Sequence, residues 1–299
     1  MIVQTRILVF LLIFFLYPLF LRALPSETLQ TSAGETLELT FRALEPGEII
    51  LAALKENPNL EKVTIRFLGK KYLLENNAIA GLPFALIGLD LNLKPKSYLM
   101  KISVDKKDGS REDIWKRIVV LAKEFPIKKL WVKEEFVTPP PEVQERIQRE
   151  AEILEAVYSV PSAEWLGEGE FVLPFSGEAA PNFGERRIYN NLPRSIHTGV
   201  DIEAPLGAPI CASNSGKVVL ASDMYFSGKT VIIDHGLGLF TFYCHFSKIK
   251  VKRGEQIKKG EVIGLAGATG RATGPHLHWG VKIFESRVDP FALLSLVLR

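Results

Sequence analysis

Four of the chain's five histidines fall in three short groups that together can hold one metal ion. The first group is His197-Thr-Gly-Val-Asp201, the second Tyr243-Cys-His245, the third His276-Leu-His278. On extended backbone, successive side chains point to opposite faces, so positions i, i+2 and i+4 share one face. His197 and Asp201 are therefore expected to turn the same way, and so are His276 and His278. Two imidazoles and one carboxylate make a three-ligand site. Three protein ligands plus water is the pattern of catalytic zinc, whereas structural zinc is usually closed by four. A single His-x-His is weak evidence, since two strand histidines are often plain polar neighbours. The same chain also carries His-x-x-x-Asp and a separate histidine, which makes chance clustering a poor account. No HExxH is present, so the helical glutamate base of that zinc motif is missing and histidines must handle the proton.

Residues 183–290 resemble the lysostaphin- and LytM-type zinc endopeptidases of bacterial cell walls. The resemblance rests on Phe183-Gly-Glu-Arg-Arg187, His197-Thr-Gly-Val-Asp201-Ile-Glu-Ala-Pro205, Asp234-His-Gly236, Tyr243-Cys-His245 and Gly270-Arg-Ala-Thr-Gly-Pro-His-Leu-His278, in the family's order. It covers a little over a third of the chain. It implies an antiparallel β-sandwich or barrel (a duplicated hybrid motif) with an open zinc groove, one Zn2+ per chain, and hydrolysis of peptide bonds in peptidoglycan. It also implies that His197, Asp201 and His278 hold the metal and that His245 and His276 are catalytic. Arg187, Asn190, Tyr243 and Gly274 are the expected substrate-binding residues on the groove rim. His235 is expected to serve a turn. Many relatives carry an acid two positions after the last ligand histidine; here that position is Gly280, so another group must orient the ligand.

A metal in such a site activates a water and polarises the scissile carbonyl. His245 and His276 then orient the water, take its proton or stabilise the oxyanion; a group of this kind typically contributes about 10² to 10⁴ in rate. Two other readings exist. A catalytically inactive relative that binds peptidoglycan or activates another hydrolase loses ligands, and here all three are kept. Residues 254–264 also resemble turns of lipoyl or biotinyl carrier domains, which need no histidine set.

With 299 residues, 47% hydrophobic and 24% charged, the chain is expected to hold two folded units plus a leader. The net charge of +3 is too small to argue for nucleic acid, and the excess lies from Trp165 onward. Arg6 followed by an apolar run over 7–21 reads as an export signal, shorter than the roughly 18 to 20 residues that span a bilayer. Cleavage after Ala23 or Ala33 releases the chain to the periplasm or envelope; an uncleaved segment anchors it to the membrane. Cys211 and Cys244 read as two small buried side chains, and alternation places Cys244 away from the zinc face.

The positioning elements are expected to be mainly β. After a leader over 1–33, residues 34–137 read as an immunoglobulin-like β-sandwich with strands near 36–43, 49–54, 63–68, 84–91, 98–104 and 130–137. The stretch 114–125 is ambiguous between strand and helix. A proline-rich break and linker helix fill 138–164, the helix running from Pro141 to about Val157. The zinc domain occupies 165–299. A fragment from about Ser159 is expected to fold and act by itself, with the sandwich as a lid or targeting module.

Overall fold

The computed structural model describes residues 24–30, 36–54, 60–74, 78–79 and 82–298. The apolar run at 7–21 lies outside them. Among the described residues no helix is long and apolar enough to cross a membrane.

The chain is mainly β. Strands β1 (Ser26–Gln30), β2 (Thr36–Phe41), β3 (Ile49–Leu54), β4 (Leu60–Phe67), β5 (Lys70–Leu74), β6 (Ala78–Ile79), β7 (Leu82–Gly88), β8 (Ser97–Lys106) and β9 (Arg111–Val119) build the N-terminal unit. They form two sheets, β1-β2-β3-β7-β6 and β5-β4-β8-β9. Alternate residues such as Leu39, Ile50, Ile65, Ile87 and Ile102 fill the space between them, as in a sandwich. β1 falls inside the stretch expected to be leader, and it pairs with β2 along its whole length. The sandwich therefore starts by Ser26, and a cut after Ala33 would remove one of its strands. The ambiguous stretch begins in β9, a strand. The strand expected near 130–137 is corrected: β10 (Ile127–Leu130) pairs in parallel with β11 (Arg186–Tyr189) of the C-terminal unit.

A 3₁₀ turn (Glu134–Phe136) leads into α1 (Pro141–Ser159). Proline stands at its start, where a missing N–H costs nothing, and Arg146–Glu150 and Glu145–Arg149 pair one turn apart at 2.6 Å each. Leu154, Val157 and Tyr158 of α1 pack on a small cluster formed by Leu220, Met224, Ile232 and Phe240.

The C-terminal unit continues through β12 (Leu192–Ile196), β13 (Gly199–Glu203), β14 (Pro209–Cys211), β15 (Gly216–Met224), β16 (Gly228–Asp234), β17 (Leu239–Phe246), β18 (Lys248–Ile249), β19 (Gln256–Ile257), β20 (Val262–Leu265), β21 (His276–Ile283) and β22 (Ser286–Val288), ending in α2 (Pro290–Ser295). The main sheet runs β13-β21-β17-β16-β15-β19, with β22 on β21; a smaller sheet, β14-β20-β18, covers its inner face. Val200, Ile202, Val231, Leu277 and Trp279 point into that layer. The outer face carries the histidines at one end and α1 at the other.

The two units expected from the sequence share one apolar core. β3 and β7 are apolar on both faces. Ile49, Leu51, Phe84 and Leu86 bury their second face in the same core as Val200, Ile283 and Val288. Phe84 meets Trp165 edge-on with ring centroids 5.3 Å apart. Arg287 forks onto Asp90 at 2.8 and 3.1 Å, and Arg42 bridges Glu48 and Asp289 at 2.6 Å each. One continuous apolar layer joins the units, which works against folding of either alone.

Candidate metal centre and its surroundings

β13 and β21 pair antiparallel with Asp201 opposite His278, and alternation turns both outward, away from Ile202, Leu277 and Trp279. His197 sits in the link between β12 and β13 rather than on one strand with Asp201. Its backbone exchanges hydrogen bonds with residues 184–185: His197 N–H donates to the Glu185 carbonyl and Gly184 N–H to the His197 carbonyl, both at 2.8 Å. The three side chains still converge. His197 Nε2 lies 2.8 Å from His278 Nδ1, and each lies 3.0 Å from Asp201 Oδ1. Among the described residues this is the one set of three such groups placed to share an ion.

The atoms facing away from the common point are occupied. His197 Nδ1–H donates to the Asn182 carbonyl at 2.8 Å, which leaves Nε2 as a free lone pair. Asp201 Oδ2 accepts from Arg187 Nη2 at 2.7 Å and from Asn182 Nδ2 at 3.0 Å, which leaves Oδ1 open. Asn182 Oδ1 also accepts from Asp201 N–H at 3.1 Å. Burial by itself raises the Asp201 pKa, but the ring nitrogens of His197 and His278 facing Oδ1 outweigh it and hold the carboxyl well below the usual carboxylate range. Burial pushes His278 down to about 4, so its ring is neutral at pH 7. Neutral imidazoles and an ionised carboxylate are the donors zinc takes, and the pre-oriented back sides fit such an ion.

His245 and His276 flank this triangle. Their ring centroids are 4.8 Å apart, and His276 Nε2 lies 3.6 Å from Asp201 Oδ1. His276 Nδ1–H donates to the Gly274 carbonyl and His245 Nδ1–H to the Thr269 carbonyl, both at 2.8 Å, which leaves each Nε2 free. Burial, followed by the neighbouring His276 and His278, pushes His245 down to about 3.

How His245 reaches the site corrects two expectations. On β17, Tyr243 opposes Val231 and Phe246 opposes Lys229, so Cys244 and His245 together face the single residue Thr230. That is a β-bulge. His245 takes a φ of 66°, and alternation restarts after it. Tyr243 therefore does not share a face with His245 and is no rim residue. It is fully buried, its Oη accepting from Ser213 N–H at 2.9 Å and bonded with Thr241 Oγ1 at 3.0 Å. Cys244 turns to the groove side instead, opposite His278. Both cysteines are free thiols.

The other rim residues also divide. Arg187 lines the groove while holding Asp201. Asn190 does not reach it: its amide clamps Val132 through that residue's N–H (3.1 Å) and carbonyl (3.0 Å), because a φ of 47° turns it towards the 132–134 segment. Gly274 serves through its carbonyl, which orients His276. His235 is a buried packing residue: Nδ1–H donates to the Ser215 carbonyl at 2.7 Å and Nε2 meets Thr241 Oγ1 at 2.7 Å. At Gly280 a Cβ would lie 1.9 Å from the Phe242 ring. Phe242 takes the place of the missing acid's side chain and stacks beside His278, with centroids 5.5 Å apart. Sequence reasoning missed Asn182, although it stands one residue before the recognised Phe183-Gly184 pair.

A cavity of about 300 Å³ opens beside the histidines, with Tyr158 and Leu154 of α1 forming its far wall. The geometry defines a mainly β protein with three converging donors placed to hold a metal, flanked by two further histidines. A model of peptidase family M23 matches residues 195–290. A solved structure assigned to peptidase M23, from Pseudomonas aeruginosa, is 31% identical and superposes with a TM-score of 0.64 over 84% of this chain and 95% of that one. The chain belongs to peptidase family M23. Among curated proteins, the peptidoglycan DD-endopeptidase ShyA of Vibrio cholerae is 43% identical over 99 residues, which is 33% of this chain and 23% of that protein. The DD-carboxypeptidase/endopeptidase Mpg of Neisseria meningitidis is 40% identical over 98 residues, again 33% and 23%. The match thus spans less than a quarter of these curated relatives.

Proposed function

We propose that the protein is a zinc-dependent endopeptidase that cuts peptide cross-links or stem peptides of peptidoglycan. The observation that carries this reading is the convergence of His197 Nε2, Asp201 Oδ1 and His278 Nδ1, with their far sides tied off and two imidazoles with free Nε2 atoms beside them. A zinc ion held there acidifies a water and polarises a carbonyl. Within the chain, His245 and His276 hold or move the proton at Nε2, each ring fixed by a backbone carbonyl behind it. Arg187 and Asn182 keep Asp201 ionised and aimed. The relatives named for peptidoglycan endopeptidase activity support the substrate class, and such a substrate requires export to the cell envelope, by a leader cleaved or retained as an anchor. The test is digestion of purified sacculi by the zinc-loaded protein, with released muropeptides identified by mass. Release of peptide-cleaved fragments that stops on chelation is expected; a zinc-loaded protein that binds sacculi without releasing any would sink the reading.

A further inference from the structure

Among the described residues, the cavity beside the histidines is lined by four cationic side chains and by no acidic one. Two of the four are neutralised: Arg187 by Asp201 and Glu185, at 2.7 and 3.4 Å, and Arg287 by Asp90. Lys282 lies over the Tyr158 ring, 3.8 Å from its centroid, at the α1 end. Arg271 differs. Its guanidinium carbon lies 4.6 Å from the Tyr189 ring centroid and 4.9 Å from that of Phe226, and among the described residues no carboxylate comes within salt-bridge distance. Aromatic contact of this kind holds an arginine while its in-plane N–H donors remain available, and those donors match a carboxylate in fork geometry.

The position of Arg271 is built rather than incidental. Its backbone N–H donates to the Phe226 carbonyl at 2.7 Å, and Thr269 Oγ1 accepts from Lys229 N–H at 2.9 Å. Gly270 adopts a φ of +70°, and a Cβ there would stand 2.3 Å from Gly228 N, so the loop lies directly on the β15–β16 turn. The same loop supplies the Thr269 carbonyl that orients His245. The unpaired cation and the histidine are thus held by one rigid segment. Burial lowers the Arg271 pKa, opposed by Tyr189 and added to by the nearby positive charge of Arg187.

We propose that Arg271 is the anchor for a carboxylate of the substrate, so that the groove selects peptides with a free carboxylate near the scissile bond over amidated peptides or neutral oligoglycine bridges. This rests on the endopeptidase reading and adds its substrate chemistry. The probes are a soluble peptide dimer with a D-alanyl–diaminopimelate link, with the diaminopimelate carboxylates free, and the same dimer amidated. Calorimetry on the chelator-treated full chain measures binding without turnover. The free acid is expected to bind roughly ten- to a hundredfold more tightly than the amide, the range of a hydrogen bond to a charged group. Arg271→Gln should bring that ratio near one, and Arg271→Lys should keep part of it. Equal binding of both peptides by the unaltered protein, binding of neither, or a preference that survives in Arg271→Gln overturns the proposal. The comparison on the unaltered protein decides even if the variants fold poorly. Hydrolysis of the same dimers after zinc loading is read separately. A binding preference for the acid with no cleavage of either dimer removes the endopeptidase reading and leaves the carboxylate anchor standing.

Discussion

His278→Ala deletes one of three donor atoms, and the two that remain cannot hold zinc in the same way. The purified variant is expected to lose stoichiometric zinc; full occupancy by metal analysis would show a different ligand set. His245→Ala and His276→Ala leave the triangle intact. Both should keep near-normal zinc while turnover on muropeptides falls by about a hundredfold or more. Wild-type turnover in either variant would remove that histidine from the chemistry. Asn182 touches no metal position, yet its carbonyl fixes the His197 ring and its amide holds Asp201. Because the carbonyl belongs to the backbone, Asn182→Ala keeps the His197 contact and loses only the Asp201 contacts. Zinc affinity is expected to fall about 10- to 100-fold, measured by competition with a chromophoric chelator.

At the scale of single elements, β16 and β17 carry the features that alternation does not foresee. The bulge at Cys244–His245 turns His245 outward and returns Phe246 to the core. Just after β16, His235 is fully buried, and desolvation outweighs the Ser215 carbonyl and the neighbouring Asp234. Burial pushes its pKa down to about 4, against about 6.5 in the unfolded chain. The unfolded state therefore binds the extra proton between those values, and stability rises with pH across that window. This contribution is complete above about pH 6.5 and is lost as pH falls towards 4, at most about 3 kcal/mol. Denaturant titrations at pH 7 and pH 4.5 should show that His235→Gln is destabilised at neutral pH but loses less on acidification than the parent. Equal pH slopes for the two would refute the assignment.

At the scale of the whole molecule, the shared apolar layer governs what can be separated. Phe84 belongs to the N-terminal sandwich by sequence but is buried against Trp165 and the core of the metal-binding unit. Phe84→Ala is expected to cost about 3 to 5 kcal/mol. It should lower the transition of the whole chain in one step. Two resolved transitions, with only the first shifted, would indicate independent units. A fragment beginning near Ser159 should expose the face that β3 and β7 normally cover, and light scattering should find it aggregating at concentrations where the full chain does not.

The sequence by itself determined the candidate donor set. The residue types that bind zinc, their spacing on β13 and β21, and the outward alternation of Asp201, His276 and His278 were all legible, because a two-residue period fixes which side chains share a strand face. The linker helix was legible too, from its prolines and its i,i+4 pairs. Tertiary structure alone decided what depends on departures from that period or on distant partners. A bulge is set by pairing with a second strand, so the faces of Tyr243, Cys244 and His245 could not be read from alternation. Asn190 was lost to the 132–134 segment, a contact 56 residues away in sequence. The union of the two units did leave a trace. The runs Ile-Ile-Leu-Ala-Ala-Leu in β3 and Leu-Pro-Phe-Ala-Leu-Ile-Gly in β7 lack polar alternation. A strand that is apolar on both faces must be covered on both. Which surface covers it is settled only when the two halves meet.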